Sequence, residues 1–262
     1  MNILIIKKKH LNNKTIPKNI LGIYYFIDSN DKIIYIGKSN NIKKRIEQHL
    51  RNGKKRMLSK FDKLKILKLN TEIEALLYES QEIKRHKPLF NRRLRKEKNI
   101  YSILQKKNKE LYPIYEISKP SNKSLINFMT KRQAQGFIER ISKRFNLCDK
   151  LNGLENTNKC CFKYHLKICN GACISNEKLS EYEKRFNESL SYIFKFPNNC
   201  KITFKDNNFK TEVTILNNQV TNFGIRNKRK HKIEFSSYDE LKIIRGYQRK
   251  YPEKLLEIKE LN

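Results

Sequence analysis

The clearest pattern of apolar and polar positions lies near the N terminus. Residues 22–27 and 32–37 are rich in Ile, Tyr and Phe, and the turn-forming residues 28–31 separate them. Two such runs on either side of a short polar turn are typical of an antiparallel β-hairpin. We therefore predict a hairpin over residues 22–37.

A helix and a further strand are predicted after the hairpin. Ile42, Ile46 and Leu50 recur every four positions, which is the spacing of one helix face, and the polar residues just before them are good N-caps. Because glycine commonly follows the last turn of a helix, we expect this helix to end near Gly53. The short apolar run of residues 66–69 is expected to supply a third strand.

A second helix completes the predicted N-terminal domain. Residues 71–74 (Thr-Glu-Ile-Glu) fit a capping box, and the helix must stop before Pro88. The apolar positions expected on its buried face are Ile73, Leu76, Leu77 and Ile83. The pattern thus predicts a ββαβα domain over residues 15–95, in which helices flank a three-stranded antiparallel sheet.

The middle of the chain is expected to be largely helical. Residues 96–144 are assigned to a basic linker and helical segment. Residues 92–110 are so basic and polar that we expect a linker or an exposed helix there, and a helix is predicted around residues 131–145. Residues 145–195 form a cysteine-rich helical segment with a charged helix near residues 177–193.

The C-terminal part, residues 196–262, is expected to be a small mixed domain of unknown role. Short alternating strands are predicted at residues 201–205 and 211–216, followed by a basic helical tail. With the N-terminal domain, this makes the predicted fold class mixed α/β, of the α+β kind.

The charge balance points to a polyanionic partner. The chain has 58 Lys and Arg against 26 Asp and Glu, a formal net charge of +32, and residues 1–100 hold the denser positive charge. A surface of this kind favours nucleic acid, although a compositional drift towards Lys, Asn and Ile would give the same excess without any partner.

Targeting signals are not evident. No stretch approaches the roughly 20 apolar residues that a membrane span needs, and the first apolar run precedes its charges, which is the wrong order for a signal peptide. We therefore expect a cytoplasmic protein without a membrane partner. In a reducing compartment, its six cysteines are better suited to metal or cluster binding than to disulfides.

Several chemically active side chains are expected to meet on the hairpin. Arg45 and His49 are four residues apart, so they project from one face of the predicted helix, beside the stripe that packs on the sheet. Tyr24 and Tyr35 can reach the same surface from neighbouring strands. Phenols, a guanidinium and an imidazole in one place would suit a phosphodiester, although each aromatic side chain taken alone could be ordinary core.

The residues Gly22-Ile23-Tyr24 and Tyr35-Ile36-Gly37, ten residues apart, are the two halves of a known motif. Other family positions are matched by Lys38, Arg45, His49, Glu79 and Asn91. The chain thus resembles the GIY-YIG nuclease superfamily, and within it the UvrC-related repair endonucleases of the short, Cho type.

The resemblance implies a metal-dependent DNA endonuclease that hydrolyses a phosphodiester bond. Glu79 would hold one Mg²⁺ or Mn²⁺, Arg45 would grip the scissile phosphate and Lys38 would add positive charge. Tyr35 or His49 would be the general base, a choice that stays open. Tyr24 and Asn91 complete the implied catalytic set. Only the resemblance selects Glu79, because helix periodicity places Glu72 on the same edge of the apolar stripe.

The cysteine segment also resembles that of the UvrC-related proteins. Cys148, Cys161, Cys169 and Cys173 are separated by twelve, seven and three residues. Four thiolates can bind a [4Fe–4S] cluster or zinc, and the shortage of closely spaced pairs favours iron–sulfur. Cys160 could replace its neighbour Cys161. Cys200 is expected to be a free structural thiol.

The family resemblance further implies a role in nucleotide excision repair. The expected reaction is one incision on the 3′ side of a lesion in duplex DNA, with damage recognition by partner proteins of the repair system. Three alternatives remain. The first is a homing or restriction endonuclease, the second a non-catalytic nucleic-acid-binding protein, and the third a metal- or redox-sensing regulator built on the cysteines.

Overall fold

The computed structural model describes residues 3–12, 15–52, 55–91 and 100–261. Packing divides the chain into two compact units. The first comprises residues 1–96, 199–216 and 220–262, and the second comprises residues 97–198 and 217–219.

The secondary structure of the described residues alternates strands and helices. The strands are Ile3–Lys7 (β1), Gly22–Asp28 (β2), Ile33–Ser39 (β3), Phe61–Lys68 (β4), Tyr101–Lys107 (β5), Pro113–Ser118 (β6), Ile126–Phe128 (β7), Cys200–Asp206 (β8), Phe209–Leu216 (β9), Gln219–Ile225 (β10), Arg229–Lys232 (β11) and Leu255–Glu260 (β12). The α-helices are Ile42–Asn52 (α1), Lys55–Lys60 (α2), Glu72–His86 (α3), Lys131–Arg144 (α4), Phe162–His165 (α5), Leu179–Ile193 (α6) and Tyr238–Lys250 (α7). The mixed fold class is confirmed.

The N-terminal sheet has the antiparallel order β1-β4-β2-β3. The hairpin of β2 and β3 is confirmed, but the prediction of a three-stranded sheet was wrong, because β1 adds a fourth strand beside β4. Its run of apolar residues lacks a period of two, and Ile3 and Ile5 are more than half exposed. The pattern therefore gave no sign of a half-buried strand.

Both predicted helices of this domain are present, as α1 and α3. α1 buries Ile42 and Ile46, whereas Leu50 is exposed, so the buried stripe is one turn shorter than predicted. The predicted end at Gly53 lies outside the described residues. The N-cap of α3 is Thr71, whose side chain accepts the Glu74 N–H, as in the first half of a capping box.

The second unit contains a three-stranded antiparallel sheet of order β6-β5-β7 together with α4, α5 and α6. The helices predicted near residues 131–145 and 177–193 are confirmed. The linker or exposed helix predicted for residues 92–110 was wrong where it can be compared, because β5 buries Ser102, Ile103 and Leu104. Residues 92–99 of that prediction lie outside the described residues.

The C-terminal residues form an antiparallel sheet of order β11-β10-β9-β8-β12 with α7 beside it. The two predicted strands correspond to β8 and β9. The predicted helical tail is helical only in α7, since β12 follows it. This sheet and α7 belong to the same compact unit as the N-terminal domain.

α3 is the element that joins the C-terminal residues to the N-terminal sheet. Its apolar face packs on β2 and β3, while its polar face is buried against β11 and α7. The clearest contact is the ion pair of Lys84 with Glu240, in which both side chains are fully buried. In the described ranges, no helix is both long and apolar enough to cross a membrane.

Candidate active site and cysteine cluster

The two motif glycines stand where a side chain would collide with its surroundings. A Cβ at Gly22 would lie 2.0 Å from the carbonyl oxygen of Leu67 in β4. Gly37 pairs directly with Tyr24 across the hairpin, and a Cβ there would lie 2.4 Å from the Tyr24 hydroxyl. The first glycine thus allows close strand packing, and the second leaves room for a phenol.

Tyr24, Tyr35 and His49 form a compact aromatic group on this face of the sheet. The ring centroids of Tyr24 and Tyr35 are 6.1 Å apart, and that of His49 is 5.7 Å from the first and 5.3 Å from the second. The Tyr24 hydroxyl is 2.9 Å from His49 Nε2. The structure thus places the two tyrosines and the helical histidine on one surface, as the spacing predicted.

Arg45 joins this group from the preceding turn of α1. Its guanidinium donates to Gln48 Oε1 at 3.1 Å and lies near enough to the Tyr24 phenol for that phenol to raise the pKa of Arg45. Burial, followed by the charge of Tyr35, raises the pKa of Tyr24 far above its ordinary value. Tyr24 therefore stays a neutral phenol, and Arg45 stays a cation beside it.

Glu79 projects from α3 towards the hairpin and faces the residue after the motif. Its Oε1 accepts the backbone N–H of Lys38 at 2.9 Å. Burial raises the pKa of Glu79 to about 7, against the hydrogen bond from Lys38 and the positive charges of Lys38 and Arg45. A buried carboxylate beside two cationic groups can hold a hard divalent cation, which would keep it ionised.

The Lys38 ammonium is already paired in this structure. It forms a salt bridge with Glu72 and donates to Asn40 Oδ1 at 3.1 Å. The Glu72 carboxylate also accepts from Asn40 Nδ2 at 3.0 Å and from the Tyr251 hydroxyl at 3.2 Å. Burial opposes ionisation of Glu72, but the hydrogen bonds from Lys38 and Asn40 hold its pKa below the ordinary value.

Sequence reasoning missed Tyr251 altogether and gave no role to Glu72 beyond its place on the helix edge. Tyr251 follows α7, far along the chain, and no local pattern links it to the hairpin. The signal available for Glu72 was its spacing of seven from Glu79, which is two helical turns.

Asn91 holds the exposed edge of the hairpin. Its Oδ1 accepts the Ile36 N–H at 2.9 Å, and its Nδ2 donates to the Ile36 carbonyl at 2.8 Å. Because β3 is an edge strand, this amide takes the place of a neighbouring strand beside the motif. The geometry makes Asn91 a positioning residue for the segment that carries Tyr35 and Gly37.

The predicted cysteine ligands converge in the second unit. The sulfurs of Cys148, Cys161 and Cys173 all lie within 4.8 Å of one another. Contact with Cys169, together with burial, raises the pKa of Cys148. The same contact, helped by the backbone N–H of Gly171, lowers the pKa of Cys169 to about 6. Cys169 thus adjoins the three-sulfur group through Cys148 and Cys161.

Backbone amides donate hydrogen bonds to two of these sulfurs. The Gly171 N–H donates to Cys169 Sγ at 3.5 Å, and the Cys161 N–H donates to Cys173 Sγ at 3.3 Å. Hydrogen bonds to sulfur and partial burial are the surroundings that a thiolate-bound cation needs. The donor set therefore fits either an iron–sulfur cluster or zinc.

The two remaining cysteines lie apart from this group. Cys160 Sγ is 3.2 Å from His165 Nε2, whereas its neighbour Cys161 takes part in the cluster. Cys200 is buried in β8, where burial raises its pKa to about 11. The structure therefore places Cys161, and not Cys160, among the clustered sulfurs.

Two protein families match consecutive parts of the chain. Residues 21–92 match the UvrC-like GIY-YIG domain, and residues 95–192 match the UvrC/Cho excinuclease middle domain. Excinuclease Cho of Escherichia coli K12 is 34% identical over 175 residues, which cover 64% of this chain and 59% of that protein. The UvrABC system protein C of Fervidobacterium nodosum is 31% identical over 65% of this chain and 31% of its own length.

A solved structure also resembles the N-terminal part. It is the GIY-YIG N-terminal endonuclease domain of Thermotoga maritima UvrC, bound to its catalytic divalent cation. It is 27% identical, covers 30% of this chain and 89% of that chain, and has a TM-score of 0.28. The present chain spans less than two thirds of the length of the Cho proteins that it matches.

Proposed function

Because the chain belongs to the UvrC-related GIY-YIG family, through residues 21–92 and 95–192, we propose that it is a divalent-metal-dependent DNA endonuclease. The observation that carries the proposal is the buried Glu79 carboxylate, which accepts the Lys38 N–H at 2.9 Å directly after the motif. Tyr35 and His49 lie on the hairpin face that Arg45 also meets.

Glu79 would be the protein ligand of one Mg²⁺ or Mn²⁺, since both cations prefer carboxylate oxygen. When bound, such a cation supplies charge neutralisation at the phosphate and at the leaving oxygen. Arg45 would bind the non-bridging oxygens of the scissile phosphate, because its planar donors match them and it stays charged. Asn91 would hold the motif strand in place during this binding.

Proton transfer would take place at the aromatic group. Tyr35 is half-buried and next to His49, so either can accept a proton from the attacking water. Tyr24 has a raised pKa and therefore stays a neutral phenol, which bonds to His49 Nε2 and lies beside the Arg45 guanidinium. Lys38 could contact the phosphate only if it broke its salt bridge with Glu72. In this structure its role is therefore to hold the loop after the motif.

We further propose that the substrate is damaged duplex DNA, nicked once on the 3′ side of a lesion in nucleotide excision repair. The match of residues 95–192 to the UvrC/Cho middle domain supports this reading over a homing or restriction endonuclease. Damage-recognition proteins of the same repair system are the proposed partners. Residues 15–95 would carry catalysis and residues 145–195 the cysteine site.

The four clustered cysteines are proposed to hold a [4Fe–4S] cluster, with zinc as the alternative occupant. We expect Cys148→Ser to lose the metal and Cys160→Ser to keep it. Iron, sulfide and zinc analysis of anaerobically purified protein checks this, together with visible absorption. Stoichiometric zinc without iron would overturn the iron–sulfur assignment.

The nuclease proposal is tested on end-labelled duplex DNA with one bulky adduct. Wild type is compared with Glu79→Ala, Arg45→Ala and the matched control Lys44→Ala, which removes an exposed charge from the same helix. We expect metal-dependent nicking by wild type and the control, and at least a hundredfold loss in the two site variants. If wild type binds the DNA in Mg²⁺ or Mn²⁺ but never cuts it, the non-catalytic alternative is correct.

A further inference from the structure

A basic surface lies on the C-terminal sheet, beyond the residues matched by either family. One face of this sheet packs on α3, where the hydroxyls of Thr211 and Thr71 are 2.7 Å apart and Arg229 Nε donates to Glu74 Oε1 at 2.5 Å. Because side chains alternate along a strand, the intervening residues point to the opposite, solvent-exposed side. We call that side the outer face.

The outer face is strongly and unevenly charged. Strand register places these basic residues on it or at its rim: Lys201, Lys205, Lys210, Arg226, Lys228, Lys230, Lys232 and Lys259. Its carboxylates are Glu212 and Glu257; Arg226 binds both, and Lys201 Nζ lies 3.7 Å from Glu212 Oε2. Among the described residues, no carboxylate lies within salt-bridge distance of Lys205, Lys210, Lys228, Lys230 or Lys232.

The face is also concave. A depression of about 540 Å³ is lined by Lys201, Lys228 and Lys230 and by Thr214 and Asn222, and its wall also includes Glu212, Phe223, Ile225 and Leu261. Closely spaced ammonium groups in a concave surface repel one another unless an anion shares it. The charge around the depression therefore favours a row of phosphates.

The kind of nucleic acid follows from what the strands present. In the part of the chain that the structure describes, the outward positions of β8, β9, β11 and β12 carry no aromatic side chain, and Phe223 of β10, which lines the depression, is only 1% exposed. Proteins that bind single strands normally stack exposed bases on aromatic rings, whereas binding of duplex backbone needs only positive charge and hydrogen-bond donors. The outer face therefore has the features of a surface that binds duplex backbone.

We propose that the outer face binds the phosphate backbone of duplex DNA and so anchors the substrate of the nuclease, an inference that rests on the proposed function. The buried contacts with α3 fix this surface to the helix that carries Glu79. It would hold DNA independently of sequence, since it offers phosphate contacts and no base-reading element.

The test compares full-length wild type with Lys201→Gln/Lys228→Gln/Lys230→Gln. The control, Lys7→Gln/Lys9→Gln/Lys18→Gln, removes the same charge from exposed sites elsewhere in the same unit. Binding of an undamaged duplex is measured at several salt concentrations in Ca²⁺, and single-turnover cutting of adduct-bearing DNA at saturating protein in Mg²⁺.

We expect the outer-face variant to lower the slope of log affinity against log salt by about 3, or about 1 per lost contact. The control should change the slope by less than about 1, and both should cut at the wild-type rate once saturated. Equal slopes in the two variants, with wild type still cutting, would refute the anchor and leave the nuclease intact. A wild type that binds but never cuts would instead refute the proposed function.

A second measurement does not depend on the folding of a variant. Wild type is acetylated with and without duplex, single-stranded DNA or duplex RNA, and modified lysines are identified by mass spectrometry. We expect duplex DNA to protect Lys228 and Lys230 at least fivefold, with Lys9 unchanged. Protection by single strands or RNA alone would reject duplex DNA as the ligand of this face.

Discussion

The buried ion pair between α3 and α7 offers a quantitative test of how the C-terminal residues are attached. Lys84 Nζ lies 2.6 and 2.7 Å from the two oxygens of Glu240, 2.8 Å from Ser237 Oγ and 3.0 Å from the Phe235 carbonyl oxygen. Lys84→Met would leave the Glu240 carboxylate buried without its cation. Removing one partner of such a pair costs about 3–5 kcal/mol.

The remaining partners of Glu240 place the expected cost at the lower end of that range. Its oxygens still accept from Ser80 Oγ at 2.7 Å, Gln81 Nε2 at 3.0 Å and the Ser237 N–H at 2.9 Å. We therefore expect Lys84→Met to lower the free energy of unfolding by about 3 kcal/mol. The double variant with Glu240→Leu should lose less than the two single variants together, because neither charge is then left alone.

The assay is equilibrium urea unfolding of the full chain, followed by circular dichroism and tyrosine fluorescence. The matched control is Arg85→Met, next in sequence, whose guanidinium is about half exposed and pairs with Glu234 and Glu82. That surface pair is worth no more than about 1 kcal/mol. The reasoning is refuted if Lys84→Met unfolds at the same urea concentration as Arg85→Met, or if the losses of the two single variants simply add.

Three further predictions concern the site and the cysteines. Gly37→Ala should displace the Tyr24 phenol and slow single-turnover cutting about a hundredfold, with circular dichroism unchanged; wild-type cutting would contradict the steric account. Tyr251→Phe removes one hydrogen bond to Glu72, which contributes about 1 kcal/mol. We therefore expect kcat to fall about fivefold at constant KM. A change confined to KM would instead assign Tyr251 to DNA binding. Cys148→Ser should lower the thermal stability of the second unit in proportion to its metal loss, measured by calorimetry.

The hairpin and its two helices could be predicted from sequence because each has a short-range cause. The turn at residues 28–31 and the Ile-, Tyr- and Phe-rich runs beside it determine the hairpin, and the spacing of Ile42 and Ile46 determines α1. β1 gave no such signal, since its apolar side chains are mostly exposed at a sheet edge.

The packing of the C-terminal sheet could not be predicted in the same way. The polar side of α3, including Glu74, Gln81 and Lys84, has the composition of a solvated helix face. It is buried because partners more than 150 residues away, such as Arg229 and Glu240, neutralise it. Contacts between residues so far apart produce no periodic pattern in a single sequence.

Only the part of the candidate site that a motif or a helix spacing defines could be predicted. Spacing alone brought Arg45 and His49 to the hairpin, but only family resemblance separated Glu79 from Glu72. The structure distinguishes the two by their contacts: Glu72 is engaged by the Lys38 ammonium, whereas Glu79 binds only the backbone N–H of that residue among the contacts described.

The most direct test of the central claim is to map the cut on duplex DNA that carries one bulky adduct and is labelled in turn at each end. Our account predicts a single Mg²⁺- or Mn²⁺-dependent nick in the damaged strand on the 3′ side of the adduct, with no cutting in chelator or by Glu79→Ala. Equal cutting of undamaged duplex would contradict the repair role. No nick under any metal condition would contradict the nuclease assignment itself.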